Sequence, residues 1–120
     1  MRIRKANIKD IKDINRIYVE GSIDEGKLQF SNSKIKDIIK ELKKFEKNRI
    51  NGWKKEFTSK ENYWIVTEEN NVITGFGNAE LKKNYDYKEG MVTMVYVDRK
   101  FRKKGIGQTI LKKLILWLRK

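Results

Sequence analysis

The apolar residues of this 120-residue chain change their period twice, and that switch restricts the fold more than any other feature. From Ile8 to Phe45 they recur at helical spacing. From Tyr63 to Val97 they come in short β-branched and aromatic runs, and from Ile106 the helical spacing returns. A chain patterned this way cannot be all helix or all sheet. It predicts an α/β (α+β) domain in the order β-α-α-β-β-β-α, whose closely spaced later strands pair antiparallel.

The elements follow from local signals. Residues 2–6 are short enough for a first strand. Asn7, with Asp10 three residues on, sets up a helix start resembling a capping box. Ile8, Ile11, Ile14, Ile17 and Tyr18 make that helix amphipathic, and Gly21 predicts its end. Ser22 to Ser33 is polar. Ser33 is the expected cap of a second helix, striped by Ile35, Ile38, Ile39, Leu42 and Phe45. Residues 48–62 read as a connection containing Gly52 and Trp53. Tyr63–Glu68 and Val72–Leu81 predict a hairpin around Asn70-Asn71, because Asn tolerates positive φ. Gly75 and Gly77 predict a bulge or a close approach. A polar connection with Asn84, Asp86 and Gly90 leads to a third run, Met91–Val97. Trp53, Trp64 and Trp117 are expected mainly as packing residues.

The composition closes off much enzyme chemistry. There is no Cys and no His, so thiolate nucleophiles, imidazole bases and Cys- or His-built metal sites are excluded. Proton transfer must use carboxylates, Tyr, Lys, a terminus or water. The 29 Lys and Arg against 16 Asp and Glu give a formal charge of +13, which attracts polyanions. No apolar run approaches the roughly 18 residues of a membrane span, so a cytoplasmic protein is expected. The length suits one domain, residues 1–120.

Residues 94–118 carry the chemistry. A strand ends at Asp98, and the basic loop Arg99-Lys100-Phe101-Arg102-Lys103-Lys104-Gly105-Ile106-Gly107-Gln108 runs into an amphipathic helix of Ile110, Leu111, Leu114, Ile115 and Leu118. The first turn of a helix presents unpaired N–H groups and about half a positive charge. Glycines let an anion reach those groups, and Arg102, Lys103 and Lys104 add charge beside them. The spacing fits neither a Walker A loop nor a dinucleotide-binding fingerprint.

Arg102-Lys103-Lys104-Gly105-Ile106-Gly107 resembles the Arg/Gln-x-x-Gly-x-Gly/Ala motif of the GNAT N-acetyltransferases, and Val72–Glu80 resembles that family's third strand. The resemblance implies a GNAT-like mixed sheet and acetyl-CoA as cosubstrate. Backbone amides of Arg102, Lys103, Lys104, Gly105, Ile106, Gly107 and Gln108 would hold its pyrophosphate. The main chain of Val95 and Val97 would pair with its pantetheine arm. Acetyl would pass to a primary amine, the acceptor being unspecified.

Where some relatives place a catalytic carboxylate this chain has Met91, so Glu80 and Glu89 are the nearest candidates for a base. The acidic residues Glu20, Asp24 and Glu25 fall where relatives contact the acceptor. The family's later elements (a fifth strand, a further helix and two last strands) have no counterpart here, so the chain reads as an N-terminal portion. Met91–Val97 would then be an open edge, predicting a homodimer or strand exchange. The competing reading is a non-enzymatic basic module that binds nucleic acid or an acidic protein.

Overall fold

The computed structural model describes residues 1–83 and 88–120. Strand β1 (Arg2–Lys5) leads through Asn7 into a 3-10 turn at Ile8–Asp10 and the long helix α1 (Ile11–Gln29). The expected capping box is present. Asn7 Oδ1 accepts from the Lys9 N–H at 2.9 Å, and Asp10 Oδ2 accepts from the Asn7 N–H at 2.9 Å. Helices α2 (Asn32–Lys44) and α3 (Glu46–Glu56) follow. Then come β2 (Asn62–Glu69), β3 (Val72–Lys83), β4 (Lys88–Val97), a 3-10 turn at Arg99–Phe101 and α4 (Ile106–Leu118). Gly90 lies inside β4 rather than in a connection. Asn84 and Asp86 lie outside the described residues.

Three expectations about helices are corrected. First, α1 runs through Gly21 to Gln29. A mid-helix glycine costs about 1 kcal/mol, but here it answers a packing need. A Cβ at Gly21 would stand 2.6 Å from Tyr96 Cε1, so glycine alone lets α1 lie against β4. Second, α2 is capped at Ser31, not Ser33. Third, the connection after Phe45 contains a whole helix, α3. Its apolar stripe is only Ile50 and Trp53, with Asn48, Asn51 and Gly52 weakening local propensity. Tertiary packing supplies what propensity lacks. Trp53 is buried among Tyr18, Trp64 and Phe76, with ring centroids 5.3, 5.3 and 6.4 Å away. The observed order is therefore β-α-α-α-β-β-β-α.

The sheet has the order β1-β2-β3-β4 and every neighbouring pair is antiparallel. Asn70 (φ 50°) and Asn71 (φ 65°) both sit in the left-handed region, the mirror-image turn that suits the twist of a two-residue hairpin. Register slips by one at two places. In β3 the partners jump from Thr67↔Gly75 to Glu68↔Ile73, leaving Thr74 as the extra residue. In β4 they jump from Asn78↔Met94 to Ala79↔Val92, leaving Thr93. The Thr93 hydroxyl donates to the Asn78 main-chain and side-chain oxygens.

Antiparallel partners share a face, so the two faces can be read across the sheet. Val66, Phe76 and Tyr96 point to α1 and α3. Ile65, Gly77 and Val95 point to α4. Gly77 lies directly beneath α4, where a Cβ would meet Leu114 Cδ1 at 2.9 Å and Ile110 Cγ2 closer still. The close approach predicted for the β3 glycines is thus α4 itself, with Ile106, Ile110 and Leu114 buried in the contact.

Candidate functional site

The site is built where β4 hands the chain to α4. Asp98 ends the strand, and its N–H donates to Thr74 O at 2.8 Å. Its buried carboxylate accepts from the Lys100 N–H at 2.9 Å and from an Arg16 guanidinium N–H at 2.8 Å. Burial alone would push this carboxyl up, but the Lys100 amide and Arg16 outweigh it and hold it below the ordinary Asp range. Lys103 (φ 67°) and Gly105 (φ 77°) then turn the chain into α4.

Gly105 is the N-cap of α4, and no side chain caps this helix. The first intrahelical bond is from the Thr109 N–H to Gly105 O, at 3.1 Å. The N–H groups of Ile106, Gly107 and Gln108 therefore have no acceptor within the helix. A 13-residue helix aims its positive end at them. The Ile106 side chain is buried below α4, so only its main chain is available to a ligand.

β4 supplies the second wall. The carbonyls of Met94 and Tyr96 lie beside Gly77 and Gly75 of β3. Strand alternation then turns the N–H and C=O of Val95 and Val97 away from the sheet. Val97 O accepts from Arg102 Nε at 3.1 Å. Gly21, Asp24, Glu25 and Leu28 of α1 form the facing wall of a cleft of about 360 Å³, whose other lining includes Val95, Tyr96, Val97, Arg102 and Gly107. Tyr96 stacks on Phe76 and meets Tyr18 edge-on. Burial pushes its phenol up, and the negative Glu25 adds to that.

Asp24 lines the cleft and is held by two arginines. It accepts from Arg99 at 2.8 and 3.1 Å and from Arg102 at 2.8 Å. Arg99 foremost holds its carboxyl below the ordinary range, with Arg102 helping to outweigh the opposing effect of burial.

The structure thus brings Val95, Val97, Arg102 and Gly107 into one cleft. Gly105 and Gln108 are exposed in the adjoining loop and first turn of α4, as are Lys103 and Lys104, and the Lys104 ammonium rests 5.5 Å from the Phe101 ring centre. Glu80 and Glu89 do not line that cleft. Glu80 stands opposite Met91 and pairs with Lys82 at 3.7 Å. Glu89 is exposed opposite Lys82, about 20 Å along β4 from Val95 at the usual strand rise.

Two features were missed from sequence. Arg99 grips Asp24 from 75 residues away, and no local pattern announces that pairing. Glu56 accepts from Trp64 Nε1 at 3.2 Å, and burial, together with the charge of Glu80, pushes its carboxyl up. Glu56 sits on α3, whose existence was itself unforeseen. No helix among the described residues is long and apolar enough to cross a membrane.

A four-stranded antiparallel sheet leads through a glycine-containing turn into a helix whose N-terminus has no capping side chain. Residues 32–120 match the model of the acetyltransferase (GNAT) family, and the chain belongs to that family. By family and fold it is an N-acetyltransferase with acetyl-CoA as cosubstrate.

Solved structures agree on the fold. The PaiA N-acetyltransferase of Thermoplasma acidophilum, in complex with coenzyme A, is 17% identical with a TM-score of 0.78, covering 98% of this chain and 71% of its own. A predicted acetyltransferase of Clostridium acetobutylicum, with acetyl-CoA, is 25% identical with a TM-score of 0.62, covering 98% and 73%. An aminoglycoside antibiotic 6′-N-acetyltransferase of Acinetobacter haemolyticus is 14% identical with a TM-score of 0.70, covering 99% and 72%. A comparison with curated proteins finds no match.

Proposed function

We propose that this chain transfers acetyl from acetyl-CoA to a primary amine of a small molecule or protein, in the cytoplasm, using the cleft between α1 and the β4–α4 junction. One observation carries the reading. The outward main-chain edge of Val95 and Val97 lies in one cleft with the first turn of a helix that has no capping side chain. The pyrophosphate would take the amides from Arg102 through Gln108, and the pantetheine arm would add to β4 as a strand. That two of the similar structures hold coenzyme A or acetyl-CoA supports the choice of cosubstrate.

The chemistry is a balanced acyl transfer. The amine nitrogen attacks the thioester carbonyl carbon, whose developing oxyanion is stabilised by an outward N–H of β4. The C–S bond breaks, and the proton lost by the amine ends on the departing thiolate through a carboxylate or water. Glu80 is our candidate for that carboxylate, because it lies on the sheet face shared with Asn78 and Met94. Glu80→Gln should lower kcat on an amine acceptor at least tenfold, while Glu89→Gln leaves it unchanged. Equal effects from the two would remove Glu80 from the mechanism.

The deciding experiment is a thermal-shift titration with acetyl-CoA. Binding to the folded state alone adds about 2.7 kcal/mol at a hundredfold excess over Kd. A saturable shift is expected, and none at millimolar ligand would overturn the assignment of the cleft. Pairing of two copies along the outer edge of β4 around the exposed Met91, short of the Val95–Val97 stretch given to the pantetheine arm, belongs to the same proposal. Light scattering that gives a monomer at working concentration would refute that part.

A further inference from the structure

Arg102 stands in the loop read above as the phosphate site, yet its charge is already engaged. Its guanidinium donates to Asp24 at 2.8 Å while its Nε donates to Val97 O at 3.1 Å. Arg99 holds the same carboxylate with two further bonds, so both Asp24 oxygens are bound by guanidinium groups. The three residues form one network that ties α1 to the β4–α4 loop beside the cleft.

We propose that Asp24 is an internal counter-anion, one that the diphosphate of the cosubstrate must displace from Arg102. Asp24 then sets the affinity for acetyl-CoA. The inference rests on the reading of the cleft given above.

The exchange is favourable for a diphosphate on simple grounds. One carboxylate offers a single charge and two oxygens, shared between two guanidiniums. A pyrophosphate brings two charges and several acceptor oxygens, and Arg recognises it by the same paired geometry. The exchanged groups are also accessible. The side chains of Asp24 and Arg102 are 25% and 37% exposed, so neither has to leave a sealed core. Displacement would also release Arg102 Nε from Val97 O, freeing a main-chain acceptor on the outward edge of β4. Binding at the loop and opening of the strand edge are therefore linked through one side chain.

A merely structural Asp24 would act in the opposite direction. Loss of a bridge between α1 and the loop would loosen the cleft and weaken every ligand. A displaced counter-anion predicts tighter binding once it is removed, and predicts that the gain disappears without Arg102.

The test is a set of calorimetric titrations of the wild-type chain, Asp24→Asn, Arg102→Gln and the double variant, each with acetyl-CoA and with inorganic pyrophosphate. Thermal unfolding of each variant confirms that it is folded. Asp24→Asn should bind both ligands about three- to tenfold more tightly, the scale of a partly exposed charged pair. In the Arg102→Gln background the same substitution should change neither Kd by more than about 1.5-fold. Wild type that binds while folded Asp24→Asn binds no more tightly would overturn the inference alone. Tightening that persists undiminished without Arg102 would also overturn it, because the effect would then be one of net charge. Wild type that binds neither ligand would overturn the reading of the cleft, and this inference with it.

Discussion

Gly107→Glu separates the proposed ligand site from the fold that carries it. A Cβ at Gly107 would meet Val97 Cγ2 at 3.6 Å and Val95 Cγ1 at 3.9 Å, both ordinary contacts, so the backbone need not move. Replacing a helical glycine gains up to about 1 kcal/mol. A carboxylate in the first turn adds roughly 0.3–1 kcal/mol through the helix dipole. Folding stability should therefore stay level or rise slightly. Ligand binding should fall. A carboxylate about 4 Å from one phosphate charge costs about 1 kcal/mol in bulk water and about 4 kcal/mol at an effective dielectric of 20. That corresponds to a Kd weakened between about fivefold and several hundredfold. The assay is paired: chemical denaturation for stability and calorimetric titration with acetyl-CoA for binding. A folded Gly107→Glu protein with an unchanged Kd would refute the placement of the pyrophosphate at α4.

Gly21→Ala should destabilise by about 1–3 kcal/mol because its methyl collides with Tyr96. At an exposed helical site the same change would stabilise, so an increase in the denaturant midpoint would show that α1 does not press on β4 there. The pH dependence of stability should have two opposing parts. Asp98 has its carboxyl held below the unfolded value, so its contribution is full above the unfolded pKa and is lost as pH falls through the folded one. Asp98→Asn should flatten the acid limb of the denaturation profile, and an unaltered limb would refute this. Glu56 has the opposite sign. Burial raises its carboxyl, so the fold favours the protonated form and loses that stability as pH rises through the raised value. Glu56→Gln should therefore raise stability at neutral pH relative to wild type while changing little near pH 4, and a loss at neutral pH would count against the assignment.

Features carried by neighbouring residues were legible before any coordinates. Asn70-Asn71 announced its turn, Asn7 and Asp10 announced their cap, and the glycines around Ile106 announced the entry to α4. The family resemblance rested on that last segment. Features decided across the fold were not legible. Gly21 is a helix breaker by propensity and a helix interior by virtue of Tyr96, which lies 75 positions later. α3 shows only two apolar residues on its inward side, too few to register a period, yet Trp53 anchors the core. The pairing of Asp24 with Arg99 and Arg102 links an acidic stretch and a basic stretch, each of which alone resembles a solvated surface. Glu80 and Glu89 were nominated as substitutes for a carboxylate at the Met91 position, whereas strand geometry sets their distance from the cleft.

Thr93 bears on the way the β4 edge could tolerate change. The strand holds one residue more than its partner needs, and the bulge absorbs it. Ironed flat, β4 would slide by one position, setting Tyr96 beneath α4 and turning Val95 toward α1. The outward carbonyls and the inward ones would trade places. Deleting Thr93 itself would leave Met94 opposite Asn78 and every later partner where it stands. The wall of the cleft is therefore specified by a count of residues as much as by their identities, and Thr93 marks where that count can drop by one without reversing the wall.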